Sequence, residues 1–584
     1  MQFISNTRWP SLACYVHQNY IEAIDFVLAQ LILKNHPNAS EEVAAFFLKL
    51  SLASRNGHLC LKMQDGTLVP KCSELIENKA VALKLDQLAD LGLIFIPDGI
   101  IGGSTDIIYP VISYADSFYF NKNFFFETRF IEQIQRIKNL AQPSEVCIDS
   151  LSTKLNQKQK NAVIFALKNN VLLISGGPGT GKTFTATQIV HEYLKYAHKQ
   201  GNSDARIILT APTGKAAIHL EKNVRAGIEL QDNLVAGTIH AILSAGYNEE
   251  MIADAPIIHA DLIIVDEASM IDARLFSFFL SAIQSHTKLI LMGDKDQLPP
   301  VDSGSFFADL VEYSLQNEFI PCAELVECLR SDKTDILNFA YAINHQETDK
   351  VTNALSIANQ SLQKIDIFNR CTTARQAYKN LYEFCRDKFF QKYEVDQDIA
   401  CIIKYFEQFK ILSCQRKGSA GVDSINEYLS DRFWQDANHG EYLVFPIIIT
   451  KNEYSLDLFN GDTGVFVQKK RSSRKIQDDD YFYFLNRDLS SVRKLSALMT
   501  PNYDYAYCIS VHKSQGSEYE SILILAPEGA SVFGKEALYT AVTRAKSQVF
   551  LDASEEVIQE FVMKSSRKIS GLRDRLSLTK VDPC

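Results

Sequence analysis

Val171-Leu172-Leu173-Ile174-Ser175-Gly176-Gly177-Pro178-Gly179-Thr180-Gly181-Lys182-Thr183 decides how this chain is read. Four apolar residues form a buried-strand run, and Gly176 to Thr183 match G-x-x-x-x-G-K-[ST]. Backbone N–H groups close on a phosphate chain only where side chains are small, so Gly176, Gly177, Pro178, Gly179, Thr180 and Gly181 are expected to cradle phosphates. Lys182 would neutralise the β- and γ-phosphates, and the Thr183 hydroxyl would ligate Mg²⁺. ATP and Mg²⁺ are therefore the expected cofactors. The motif speaks strongly for nucleotide binding and weakly for what the energy does.

Outward from this loop, Ile207-Ile208-Leu209, Leu262-Ile263-Ile264-Val265 and Leu289-Ile290-Leu291-Met292 repeat the short apolar run, with helical spacers between them. That is the pattern of a parallel α/β sheet. A second set begins near Lys410-Ile411-Leu412 and includes Tyr507 to Val511 and Ile522 to Leu525. Two sheets in tandem predict two nucleotide-handling lobes. Asp266-Glu267-Ala268-Ser269 directly follows the run ending at Val265. A carboxylate there can hold Mg²⁺ and its neighbour can orient the attacking water, so Asp266 is assigned to the metal and Glu267 to the base. Gln297, in Gly293-Asp294-Lys295-Asp296-Gln297-Leu298-Pro299-Pro300, suits a γ-phosphate sensor because an amide exchanges partners on hydrolysis.

The whole chain has 584 residues, too many for one core, with 46% hydrophobic and 22% charged residues. Its net charge of -10 excludes a uniformly basic surface, though a local channel can still grip a strand. The twelve cysteines are scattered, with no zinc-finger spacing. No apolar run reaches the roughly 18 residues that span a bilayer, and the first residues lack signal-peptide regions. A cytoplasmic protein is expected. The basic run Lys469 to Lys475, between the strand-like Gly464 to Val467 and Tyr481 to Phe484, reads as a solvated hairpin.

Residues 1 to about 150 form a separate region. Helical periodicity runs through Tyr20 to Ala29 and Val43 to Leu48, followed by short β-rich pieces at Ile107-Ile108-Tyr109 and Phe118-Tyr119-Phe120. Phe124-Phe125-Phe126 reads as core or interface rather than a base-stacking platform. Gln142-Pro143-Ser144 reads as a linker.

The ordered set of motifs resembles superfamily 1 helicases, and its wording is similar to the RecD-type alpha subunit of exodeoxyribonuclease V. The resemblance covers about 150 to 552. Leu155-Asn156-Gln157-Lys158-Gln159 resembles the adenine-reading motif, with Gln159 as reader. Leu209 to Ala217 resembles the first DNA-contact motif, implicating Pro212, Thr213 and Lys215, and Gly237-Thr238-Ile239-His240 the next, implicating Thr238 and His240. Arg330 falls where the family places an arginine that reaches the γ-phosphate. Phe459 to Gly464, with Asn460, resembles the element before a small β-rich insertion. Val511 to Glu518 resembles motif V, with His512, Ser514 and Gln515 on DNA. Leu538 to Ala545 resembles motif VI, with Arg544 as the finger. Taken singly, Thr213 could merely cap a helix and His240 could be a core histidine; it is the order that carries the functional reading.

The resemblance implies an α/β architecture of two tandem RecA-like P-loop NTPase lobes, with an SH3-like β-rich insertion in the second and an α-rich N-terminal domain. The expected division is 1–145 for the N-terminal partner-binding domain, 150–330 for lobe 1 and 331–584 for lobe 2, with the insertion at about 415–505. It further implies an ATP-dependent 5′-to-3′ DNA helicase. This would be a motor acting on single-stranded and duplex-end DNA beside RecB-like and RecC-like subunits, in double-strand break repair and recombination. A strand-separating pin is expected within 245–257. A stand-alone RecD-like helicase and a nucleotide-binding scaffold subunit remain as alternatives. RNA is not excluded by the motifs, and no carboxylate cluster suggests a nuclease in this chain.

Overall fold

The computed structural model describes residues 8–103, 109–139, 151–228, 233–243, 256–327, 334–356, 360–371, 373–393, 398–486 and 491–578. Arg330, the linker at 142–144, Ile107, Ile108 and nearly all of the expected pin segment lie outside the described residues.

Helix Glu41–Arg55 organises the N-terminal unit. Two acids in its first turn and Arg55 in its last complement the helix dipole, and every residue from Val43 to Ala53 is buried. A helix apolar all round must sit inside: helices Ala23–Ile32 and Lys79–Gly92 pack on it. Lys49, fully buried, is tolerated because its ammonium donates to Asp86 at 2.6 Å and to the Leu68 carbonyl at 2.8 Å. The expected helical region also holds a five-stranded sheet, in the order Thr67–Val69, Cys60–Gln64, Ser117–Phe120, Val111–Tyr114, Ile101–Gly102. The unit is thus mixed α and β. Helix Asn121–Lys138 then leads out of it, with Phe124 and Phe126 buried and Phe125 exposed. Its Phe130, Ile131, Ile134 and Ile137 join the core of the next unit.

That unit has a six-stranded, wholly parallel sheet: Cys322–Leu325, Val171–Gly176, Lys288–Gly293, Leu262–Val265, Ile207–Ala211, Leu234–Thr238. Helices cover both faces, which is why its strands read as unbroken apolar runs. A second parallel sheet follows: Leu362–Lys364, Ala545–Asp552, Tyr519–Leu525, Phe409–Ser413, Cys508–Ser510. Between its strands lies an antiparallel sheet of Lys392–Tyr393, Tyr442–Ile449, Thr463–Lys469, Tyr481–Leu485 and Val492–Ser496, with Tyr503–Tyr505 on Tyr442–Ile449. Lys392–Tyr393 joins this sheet from before residue 415. Helix Val422–Asp436, inside the expected insertion, belongs to the parallel sheet instead, because the Asn426 amide exchanges two hydrogen bonds with the Cys508 backbone at 2.8 Å.

The basic hairpin is neutralised locally. Arg471 pairs with Asp479 and Asp480, Arg474 with Asp431, and Lys470 donates to the Trp434 carbonyl. After helix Glu555–Met563 the chain leaves the second sheet. Leu572 and Leu576, expected in lobe 2, are buried in the core of the first sheet. Among the described residues no helix is long and apolar enough to cross a membrane.

Candidate nucleotide cleft and nucleic-acid groove

Two openings lie where the first parallel unit meets the rest of the chain. The first, about 720 Å³, is lined by Ser175, Gly176, Gly177, Pro178 and Thr180 on one side and by Lys535, Tyr539 and Thr543 on the other. Gly179 and Gly181 have φ of +78° and +83°, a region that side-chain-bearing residues rarely enter. The turn they make delivers the chain into helix Lys182–Lys199, whose first N–H groups face the loop. Thr180 donates to the Gly177 carbonyl at 2.8 Å, bracing the loop, and the Lys182 ammonium lies over it at 2.6 Å from the Gly176 carbonyl. Gln159 is fully buried. Its oxygen accepts the Asn156 N–H at 3.1 Å and its amide donates to the Thr180 carbonyl at 3.3 Å, so reading a base requires exchanging one of these bonds.

Asp266 and Glu267 leave the end of strand Leu262–Val265, with Glu267 at φ +51°, a costly conformation for a non-glycine residue. Burial pushes the Asp266 carboxyl above its usual range against the pull of Lys182. Burial, then Asp266, pushes Glu267 up, opposed by Lys182 and Arg544. A carboxylate whose pKa is raised is a stronger base toward a proton taken from water. Glu267 Oε2, Gln297 Oε1, Ser269 Oγ and Thr210 Oγ1 are buried with no hydrogen-bond partner among the described residues. The unpartnered Glu267 oxygen, next to Asp266 at the end of its strand, suits a site that water or a hydrated cation completes. Thr183 and Asp266 offer the oxygen donors that Mg²⁺ takes when phosphates and water complete its shell. Among the described residues no group of three or more His, Cys, Asp or Glu could hold a metal without such help.

Asp294 is a hub that the sequence reading passed over. One of its oxygens accepts the Tyr539 hydroxyl at 2.9 Å and the Gln297 amide at 3.3 Å, and the other accepts the Asp296 N–H at 3.1 Å. A Cβ on Gly177 would stand 3.0 Å from the same Tyr539 hydroxyl. Beside it, Leu298 donates to Thr540 at 2.8 Å and accepts from the Gln515 amide at 3.2 Å. The Gln297 loop is thus held directly by the second lobe. Asp294 and Tyr539 both lie within helicase-like motifs, but only their pairing across the cleft reveals them. Arg544 is buried, its guanidinium donating to the carbonyls of Thr540 and Ser517 and to the Thr543 hydroxyl.

The second opening, a groove of about 360 Å³, runs between helix Gly214–Gly227 with the end of strand Leu234–Thr238 and the antiparallel sheet. Lys215, Gly237, Thr238 and Gly516 face Phe459, Gly461, Asp462, Thr463 and Arg493. Thr213 and Thr238 both cap helices, accepting the N–H groups of Ala216 and Ala241 at 3.3 and 3.1 Å. The simple reading of Thr213 therefore holds in part. Pro212 is half-buried and His240 and Asn460 are exposed, each within two residues of a groove-lining position. His512 is half-buried, its imidazole pKa lowered by burial and by Lys568. Ser514 is fully buried and donates to the Val511 carbonyl at 2.7 Å. Gln515 is turned to Leu298. The structure thus brings Lys215, Thr238 and the Asn460 segment to one groove, and turns Gln515 to the Gln297 loop. Lys215 on one wall pairs through its Nζ with Glu407 of the second lobe at 3.3 Å.

Residues 159–303 match the family described as an AAA domain, and residues 505–551 the family described as a UvrD-like helicase C-terminal domain. The RecBCD enzyme subunit RecD of Mycolicibacterium smegmatis is 30% identical, over 72% of this chain and 75% of its own length. That of Buchnera aphidicola subsp. Schizaphis graminum is 27% identical, over 94% of this chain and 98% of its own. The ATP-dependent RecD2 DNA helicase of Deinococcus radiodurans is 27% identical over 69% of this chain and 50% of its own. Among solved structures, a Bacteroides Pif1 helicase in complex with ADP-AlF3 and ssDNA aligns at 14% identity and a TM-score of 0.42, covering 74% of this chain and 99% of that one. The match to the mycobacterial subunit, together with the motifs, establishes that this chain belongs to the RecD family of RecBCD enzyme subunits.

Proposed function

We propose that this chain is an ATP-dependent DNA helicase that moves 5′ to 3′ as the motor subunit of a RecBCD-type complex in the cytoplasm, processing double-strand breaks. The observation that carries the reading is that one loop, Gly293–Pro300, meets both lobes between the cleft and the groove. Gln297 donates to Asp294, which lines the cleft with Gly177, while Leu298 is gripped by Thr540 and Gln515. A change at Gln297 on hydrolysis therefore reaches the lobe that carries one wall of the groove.

In this reading Lys182, Arg544 and Arg330 offset charge on the transferring phosphate, and Glu267 positions and deprotonates the attacking water. Bound Mg²⁺, held by Thr183 and Asp266, would supply further charge neutralisation at the phosphates. Pro212, Thr213, Lys215, Thr238, His240 and Asn460 would carry the strand, with His512, Ser514 and Gln515 relaying between groove and cleft. The lobes are read as RecA-like, and the antiparallel sheet as SH3-like. Nuclease activity would come from a partner. Residues 1–145 are read as the docking unit for RecB-like and RecC-like subunits. Support comes from the exposed apolar side chains Ile24, Val27 and Leu31 at helical spacing, and Leu91, Ile94 and Phe95, an unusual amount of apolar surface to leave in water.

The test is ATP hydrolysis by the purified chain with single-stranded DNA, with RNA and with neither, beside Lys182→Gln. DNA stimulation lost by at least about a hundredfold in the variant is expected, and duplexes with 5′ or 3′ tails then give polarity. Wild-type nucleotide binding without hydrolysis, alone and in the complex, would leave the scaffold reading standing instead.

A further inference from the structure

The segment after Met563 matched no motif, yet it touches all three units. Glu536, at the start of helix Gly534–Val542, holds its beginning through the Ser565 hydroxyl at 2.6 Å and the Ser566 N–H at 2.7 Å. A few residues on, the Lys568 ammonium donates to the Asn56 carbonyl at 2.5 Å. Ile569 pairs with the N-terminal unit through Leu59 N–H to its carbonyl at 2.8 Å and its own N–H to His58 Nδ1 at 3.0 Å. Gly571 N–H and Arg575 then reach Glu127, at 3.0 and 3.2 Å.

Arg567 stands where this strap crosses the cleft. Its guanidinium forms an ion pair with Glu312 on helix Phe306–Asn317 and lies 3.7 Å from Asp296 and 4.0 Å from Glu536. It lines the same opening as Gly176 to Thr180. Three carboxylates from two lobes therefore converge on one cation, and without it they would repel one another. Asp296 adjoins Gln297 and donates its N–H to Asp294, the hub of the cleft. Burial and Asp294 push the Asp296 carboxyl up to about 6, while Lys295 and Arg567 hold it down, so the contact acts on the charged form.

We propose that Arg567 is a positioning residue for the Gly293–Pro300 loop, fixing Asp296, and through it Asp294 and Gln297, from a strap whose far end is clamped to the N-terminal unit. The geometry makes docking at the N-terminal unit able to set the pace of hydrolysis. The proposal rests on the ATPase reading of the cleft, and it deepens that reading by adding a control point outside the motifs.

The test uses the full chain with ATP and single-stranded DNA, comparing Arg567→Ala, Arg567→Lys, Asp296→Asn and the Arg567→Ala/Asp296→Asn double variant. For Arg567→Ala, kcat is expected to fall about tenfold with KM for ATP changed less than about twofold. Arg567→Lys should recover most of the loss, and the double variant should be no slower than the worse single one. Amide exchange without nucleotide gives a reading independent of hydrolysis. Residues 294–298 should exchange several-fold faster in Arg567→Ala, while strand Val171–Gly176 is unchanged. A raised KM at unchanged kcat would mean direct nucleotide contact and overturn the proposal, as would unaltered exchange or additive losses. A wild-type chain that hydrolyses no ATP, alone or in its complex, removes the ATPase reading; exchange then decides whether Arg567 positions the loop.

Discussion

At the nucleotide cleft the Gly293–Pro300 loop meets the second lobe through buried hydrogen bonds, Tyr539 to Asp294 and Leu298 to Thr540 and Gln515, with Arg567 adding ion pairs beside them. At the groove the lobes meet through the ion pair of Lys215 with Glu407, with both side chains partly in water. The acids divide in the same way. Asp266, Glu267 and Asp296 near the cleft, and Asp309 on the helix that carries Glu312, are all pushed up, burial being the leading cause. At the groove burial also acts against the charge of Glu407, but Lys215 and Lys410 outweigh it and its carboxyl is lowered. The cleft stores carboxylates short of positive charge, which a cation or arginine can satisfy. The groove offers a lysine already satisfied by a carboxylate, which a phosphate would have to displace. One seam awaits charge and the other exchanges it.

The largest effect expected from this contrast is on stability against pH. Asp309 is half-buried, accepts the Ser570 hydroxyl at 2.6 Å, and is raised to about 7 by burial despite that bond. An unfolded aspartate titrates near 4. Between about 4 and 7 the folded chain therefore keeps a proton that the unfolded chain has lost, so stability falls as pH rises through that window and is flat above it. Asp309→Asn keeps an acceptor for Ser570 and removes the penalty. We expect it to be more stable than wild type at pH 8 by on the order of 2 kcal/mol, after allowing for partial solvent access, and equal to it near pH 4. Denaturant melts at both pH values measure this; a parallel pH profile for the two proteins would show that Asp309 does not titrate in that range.

A smaller effect should follow Tyr539→Phe. Removing the hydroxyl leaves Asp294 short of a donor, at a cost of about 1–2 kcal/mol if the bond matters in the closed cleft. That corresponds to roughly a tenfold loss in DNA-stimulated kcat. The loss should be the same at low and high salt, because the pair is buried and one partner is neutral. A loss that shrinks as salt rises would mean that the cleft seam is as solvent-exposed as the groove.

The contrast also separates what the chain's wording makes legible. Val171 to Ile174, Leu262 to Val265 and Leu289 to Met292 are readable as strands because both faces of a parallel sheet are covered, which makes them continuously apolar. The P-loop is readable because its chemistry admits few residues at fixed spacing. Asp294, Tyr539, Arg567 and Glu407 are not, since each acts through a partner 100 or more residues away, and no local period marks such pairs. The course of Ser565–Leu578 is hidden for a related reason. Leu572 and Leu576 make an ordinary amphipathic spacing, and nothing in it says which of three units they will pack against. Ser514 shows the converse: its motif speaks for a strand contact, while its hydroxyl closes its own turn on Val511, a bond that no local pattern announces.

The finest expected effect lies at the groove. If Glu407 occupies Lys215 in competition with a backbone phosphate, then Glu407→Gln frees the lysine without altering the shape of the wall. Single-stranded DNA should bind a few-fold tighter without nucleotide, about 1 kcal/mol at most, since an exposed pair is worth no more than that. The gain should be largest at low salt and fade by about 0.5 M, where exposed charges more than a few ångströms apart are screened. The slope of log affinity against log salt should steepen by about one, the mark of one more released counterion. Fluorescence anisotropy on a labelled oligonucleotide across a salt series reads both quantities. Weaker binding in Glu407→Gln would mean that the carboxylate orients Lys215 for the phosphate instead of competing with it, and the groove would then be as pre-organised as the cleft.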